Sequence, residues 1–98
     1  MFDKMKQLME MQKKMQEMKR QLDSTAFEAA SSDGLVVVTM NGSQEIQAVS
    51  LKEEATQAQK SLLEKSIKDA YNRAIKRSHE IARQKMQEVS GLDLPGLL

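Results

Sequence analysis

The stretch Gly34-Leu35-Val36-Val37-Val38-Thr39-Met40-Asn41-Gly42 constrains this chain more than any other, because it can hardly be helical. Strand-forming side chains run into Asn41-Gly42, the dipeptide that best supplies two left-handed residues for a two-residue hairpin turn. On either side lie long charged segments containing methionine and alanine, which read as helix. A hairpin between two exposed helices suits self-association and surface contact. It does not build an enclosed catalytic pocket.

At 98 residues the chain has room for one domain, 1–98, and for a modest core. The aromatic residues are Phe2, Phe27 and Tyr71, and there is no cysteine. A disulfide framework and a thiolate zinc site are therefore excluded, and the composition suits a reducing compartment. No apolar run approaches the roughly 18 residues of a membrane span. The start, Met1-Phe2-Asp3-Lys4-Met5-Lys6, is charged from its third residue and lacks a signal peptide's apolar centre. A soluble cytoplasmic protein is expected.

The formal net charge is +1, but it is unevenly distributed. Residues 1–23 carry six bases and four acids. Residues 24–59 carry Lys52 against five acids, and residues 60–89 carry eight bases and four acids. The helices are basic and the strand region is acidic. Local field, rather than total charge, steers a polyanion, so this segregation points to an oriented electrostatic surface.

Helix is expected over 3–23. Met1, Leu8, Met15 and Leu22 occupy one core position of a heptad, and Lys4, Met11 and Met18 the other. Asp3, Glu10 and Glu17 stand three residues before Lys6, Lys13 and Arg20, a ladder of self-compensating pairs. Lys14 and Lys19 lie outside that ladder and are expected to be freer to meet a partner. The methionines follow a packing register, so they read as adaptable apolar filler rather than as thioether metal ligands.

Strands are expected at 25–30, 35–40 and 43–51. A two-residue turn would pair Met40 with Ser43, Val37 with Ile46 and Leu35 with Ala48. Val36, Val38, Met40, Val49 and Leu51 would share the other face. Both sheet faces then look apolar, and the face that one chain's helices leave open asks for a second subunit.

The last helix is expected over 57–90, started by one of two capping boxes (Thr56 to Gln59 or Ser61 to Glu64) and stopped by Gly91, before a tail at 91–98. At about 1.5 Å per residue it would be roughly 50 Å long and must project beyond the core or pack along a partner. Leu63, Ile67, Ala70, Tyr71, Ala74, Ile75, Ile81, Ala82 and Val89 fall on one arc. Opposite, Lys65, Lys68, Asn72, Lys76, His79 and Arg83 form a narrow basic stripe with Arg73 and Arg77 beside it. His79 has no cysteine, second histidine or acid cluster near it, and no nucleophile or phosphate-loop motif occurs. No catalysis, cofactor, metal or small-molecule substrate is expected.

The landmarks together resemble the YbaB/EbfC family of bacterial nucleoid-associated proteins. They are the Met/Gln/Lys-rich helix around Met9 to Met18, the Gly34 to Gly42 segment, Lys68-Asp69-Ala70-Tyr71-Asn72-Arg73-Ala74, and Leu94-Pro95-Gly96-Leu97. The match spans essentially the whole chain. It departs at Val37, where the family is often basic or polar, and after Leu51, where Lys52-Glu53-Glu54-Ala55 replaces an Asp-Pro turn. The resemblance implies an α+β fold of order α-β-β-β-α. It also implies a homodimer that binds double-stranded DNA in the cytoplasm at the nucleoid and influences nucleoid organisation and gene expression.

On this reading Lys65, Lys68, Arg73, Lys76, Arg77 and Arg83 contact phosphates, with Lys14, Lys19 and Arg20 contributing from the first helix. Met11, Met15, Met18, Leu22, Leu35, Val37, Ile46, Ile67 and Tyr71 serve the core and the dimer contact. The rival reading is a prefoldin-like chaperone or adaptor whose helices clamp a protein. A membrane-surface binder fits less well, because the apolar arc of the last helix is alanine-rich and lacks tryptophan.

Overall fold

The helix α1 spans Phe2–Ser24, followed by strands β1 (Ala26–Ala30), β2 (Val36–Asn41) and β3 (Ile46–Leu51), a 3₁₀ turn at Glu53–Gln57 and the helix α2, Lys60–Ser90. This computed structural model describes residues 2–90; the expected stop at Gly91, the tail 91–98 and the side chain of Val89 fall outside what it describes. The strands form one antiparallel sheet in the order β1-β2-β3. The chain measures 66 × 23 × 16 Å, and its radius of gyration is 18.1 Å. A compact chain of this length would have one near 13 Å, so the helices do project.

The hairpin register differs from the two-residue expectation. Val36 pairs with Leu51, Val37 with Ser50, Val38 with Val49 and Thr39 with Ala48; after a bulge Met40 pairs with Ile46. The cause is the turn. Asn41 N–H donates to Glu45 O (3.0 Å) and Gln44 N–H to Asn41 O (3.1 Å), while Gln44 takes the left-handed conformation (φ 66°). This is a three-residue connection, a turn followed by one left-handed residue. Asn41 contributes its side chain instead of a positive φ: its Oδ1 accepts the N–H groups of Ser43 and Glu45, both at 3.0 Å.

The slip from expectation is even, so Val36, Val38, Met40, Val49 and Leu51 keep a common face. Phe27 and Ala29 join it opposite Met40 and Val38, and the bulge brings Ile46 to it. Val36, Val38 and Met40 are buried with Ala70 and Ala74 of α2, with Leu35, Leu63 and Ile75 packed around them. The other face presents Ala26, Glu28, Ala30, Val37, Thr39, Ala48 and Ser50, small or polar apart from Val37. The expectation of two apolar faces is thereby corrected. The uncovered apolar area is instead the β3 third of the helix-side face: α2 packs on β1 and β2, and every residue of β3 is exposed.

α2 can lie close on the sheet because Ser66, Ala70, Ala74 and Ser78, spaced by four, are all buried on its inner side. Ser78 Oγ–H donates to Gly42 O (3.1 Å), and Ser66 Oγ–H donates to Asp33. α2 starts at Lys60, not at Gln57, because the 3₁₀ turn takes up the preceding residues and buries Ala55. Neither capping box starts it.

α1 docks only by its last turns. Leu22 is buried, Met18 is half-buried and residues 3–16 are all exposed. The carbonyls at its end find donors: Gln21 O accepts Thr25 Oγ–H, Leu22 O accepts Gly42 N–H and Asp23 O accepts Asn41 Nδ2–H. The carbonyls that a helix end leaves open are thus tied to the hairpin turn.

Candidate nucleic-acid interface

The inner row of small residues sets the rotation of α2 and so decides what faces out. Lys65, Lys68, Asn72, Lys76, His79 and Arg83 stand nearly opposite that row, and all six are exposed. From Lys65 to Arg83 the row runs about 27 Å along the axis. All nine cations proposed for nucleic-acid contact (Lys14, Lys19, Arg20, Lys65, Lys68, Arg73, Lys76, Arg77 and Arg83) are exposed.

Ion pairing divides them. Arg73 Nε donates to Asp69 Oδ1 (3.0 Å) and Arg77 Nη1 to Glu80 Oε2 (3.1 Å). On α1, Arg20 pairs with Glu17 and Lys19 with Asp23 at 3.2 Å. Lys19 is therefore not the free cation that its position outside the ladder suggested; Asp23, four residues on, completes its own pair. Of the expected ladder, Glu17–Arg20 alone closes among the described residues. Lys14, Lys65, Lys68, Lys76 and Arg83 have no carboxylate within ion-pair distance among the described residues. Exposed pairs contribute only about 0–1 kcal/mol, so phosphate can displace the carboxylates from Arg73 and Arg77.

The apolar residues assigned to core and dimer contact also divide. Leu22 is buried; Met18, Leu35 and Val37 are half-buried, Val37 on the sheet face away from α2. Met11, Met15, Ile46, Ile67 and Tyr71 are exposed in the single chain. Ile46, Ile67 and Tyr71 join Val49 and Leu51 as apolar surface that the chain's own helices leave open.

Ser66, Ser78, Asp33 and Asp69 position the stripe, and a hydropathy reading passes over them because they are polar. Their one legible signal is the Ser-x₃-Ala-x₃-Ala-x₃-Ser spacing of residues 66–78. Asp33 accepts hydrogen bonds from Ser31 Oγ–H, Ser66 Oγ–H and Leu35 N–H, and Asp69 accepts Ser32 N–H at 2.7 Å. The β1–β2 turn is thus clamped to the first half of α2. Beside the clamp is an open groove lined by Ser32, Asp33, Leu62, Lys65, Ser66 and Asp69. It is open and acidic, and no group of three or more His, Asp or Glu side chains that could hold a metal ion occurs among the described residues.

These bonds hold both carboxyls below the usual 3.8, Asp33 chiefly through Ser31 and then Ser66, Asp69 chiefly through the Ser32 N–H and then Arg73. A depressed carboxyl pKa stabilises the fold above the unfolded value, and that contribution disappears as pH falls through the folded value. In urea denaturation at stepped pH, Asp33→Asn with Asp69→Asn is expected to be less stable than the parent at neutral pH. The gap should narrow as pH falls below about 4, where the unfolded carboxyls take up protons first. A gap that stayed constant below that pH would show that ionisation of the clamp contributes nothing.

Comparison with known proteins agrees with this architecture. The family model described as the YbaB/EbfC DNA-binding family matches residues 1–92. A protein of Gloeothece citriformis named as nucleoid-associated is 38% identical over 101 residues, covering 98% of this chain and 82% of that protein. The crystal structure of an uncharacterized protein from Helicobacter pylori superposes with a TM-score of 0.68 over 93% of this chain and 94% of the other. At 16% identity that likeness concerns the fold.

Proposed function

The chain belongs to the YbaB/EbfC DNA-binding family, and from that premise we propose that it is a nucleoid-associated protein that binds double-stranded DNA as a homodimer in the cytoplasm. The observation that carries this reading is the exposed row Lys65, Lys68, Lys76 and Arg83, unpaired among the described residues and turned away from the sheet. Four cations on one side of a helix, none within ion-pair distance of a carboxylate among the described residues, can meet successive phosphates. Arg73 and Arg77 join once phosphate replaces Asp69 and Glu80, and Lys14, Lys19 and Arg20 contribute from α1. Phosphate contacts hold the protein on the duplex and leave base sequence largely unread.

Dimerisation would use the apolar surface around β3. Ile46, Val49 and Leu51 continue the core face past the cover of α2 and are each about half exposed. A second copy placed there buries that row and sets two α2 helices in a symmetric pair, so each duplex meets the basic row twice. An edge strand exposed along its whole length also needs cover of this kind.

The test is fluorescence anisotropy with a labelled random-sequence duplex at about 50 and 200 mM salt, on protein whose mass by light scattering is twice 11.1 kDa. Eight phosphates neutralised per dimer give a log–log salt slope near −7, so affinity should fall by about three to five orders of magnitude between those salts. A confirmed dimer that leaves the duplex unbound at the lower salt would defeat the reading. Saturable binding indifferent to salt would defeat the phosphate mechanism.

A further inference from the structure

The exposed half of α1 carries a chemistry that DNA contact does not use. Turning each residue by 100° places Met5, Met9, Met11, Met15 and Met18 with Leu8 on one half of the helix. Met5 and Met11 are 64% exposed, Met9 58% and Met15 51%, whereas Met40 in the sheet is 0% exposed. The chain contains no cysteine, so thioethers are its only sulfur. The four exposed sulfurs form a group that is open to solvent, and Met40 is a buried control in the same molecule.

We propose that Met5, Met9, Met11 and Met15 make α1 a site of oxidative modification by peroxide-class oxidants. A lone pair of methionine Sδ attacks one oxygen of hydrogen peroxide; the S–O bond forms as the O–O bond breaks. Sulfur loses two electrons, and the departing hydroxide takes the proton from the new S–OH group and leaves as water. The product is the sulfoxide, a polar and chiral group in place of an apolar one. Met5 and Met9, like Met11 and Met15, are four residues apart, the spacing at which apolar side chains on one helix face support the helix. Residues 3–16 are all exposed, without tertiary cover among the described residues, and an isolated helix of this length is marginal in water. Sulfoxides on that face therefore unwind the arm, while the sheet and α2, which do not depend on it, stay folded.

The experiment treats the intact folded protein with dilute hydrogen peroxide. Oxygen uptake at each methionine is followed by peptide mass spectrometry and helix content by far-UV circular dichroism. Met5, Met9, Met11 and Met15 are expected to oxidise at least about 10-fold faster than Met40, with partial loss of helical signal and an unchanged thermal transition of the remainder. The variant Met5→Leu with Met9→Leu, Met11→Leu and Met15→Leu should keep its helical signal under the same treatment. Oxidation of Met40 at the same rate, or protection of the four as complete as that of Met40, would overturn the site. Equal loss of helix in the leucine variant, or none in the parent with all four sulfoxides formed, would overturn its effect on the arm.

Discussion

Replacing Gly42 with alanine is expected to destabilise the fold by about 2–3 kcal/mol, the upper part of the range for forcing extra volume into a packed site. A Cβ at this position would stand 2.8 Å from Leu22 Cδ2, 3.1 Å from Leu22 O and 3.2 Å from Leu22 Cα. The leucine methyl could swing aside, but the backbone atoms could move only by lifting the end of α1. That motion would break the bonds from Gly42 N–H to Leu22 O (2.9 Å) and to Thr25 O (3.0 Å). It would also disturb Ser78 Oγ–H on Gly42 O, so both helices would lose their tie to the turn. For a domain of this size the loss corresponds to a fall in Tm on the order of 10 °C or more. Gly34→Ala is the informative control. Gly34 has φ +76°, but its added Cβ would meet only the flexible end of Lys52, at 3.3 Å. Its cost is left-handed strain alone, about 1–2 kcal/mol. Thermal melts ranking Gly42→Ala with or above the parent would show that α1 is not seated on Gly42.

Reversing Lys68 and Lys76 to glutamate is expected to weaken duplex binding by about two orders of magnitude at roughly 50 mM salt, with a shallower salt slope. The same formal charge change at Arg73 and Arg77 should cost less. Those guanidiniums already face Asp69 and Glu80, so part of their charge is locally spent before DNA arrives. The two double variants therefore separate position from net charge. Equal losses would mean that only total charge counts. An isotherm and slope like the parent's for Lys68→Glu with Lys76→Glu would remove the outer row of α2 from the interface. Circular dichroism should remain unchanged for that pair, since neither side chain makes a contact that holds the fold among the described residues.

The reach of sequence reasoning follows the range of the interactions. The order α-β-β-β-α and the helical periods depend on neighbours a few residues away, and the strands' common face survives because the slip in pairing is even. The position of the turn was legible in Asn41-Gly42, but its mechanism was not. Gly42 is glycine because Leu22 presses on it, twenty residues upstream, and no local rule carries that information. The buried serines of α2 escaped for a similar reason. Ser66 and Ser78 are polar, and only Asp33 and Gly42, brought to them by the fold, make their burial favourable.

The sequence by itself determined the order of helices and strands and a basic stripe opposite an apolar arc, because composition and periodicity act through nearest neighbours along one helix or strand; the order of its motifs carried the resemblance to the family. Tertiary structure decided the rest: which cations are already paired, which third of the sheet lacks cover, and how little of α1 is seated on the core. The last two depend on distances between residues far apart in sequence, whereas the pairing depends on which side chains three or four residues apart meet on the folded helix. Asp23, four residues along, engages Lys19, whereas Glu80, four residues beyond Lys76, is taken by Arg77 and leaves Lys76 available to a phosphate.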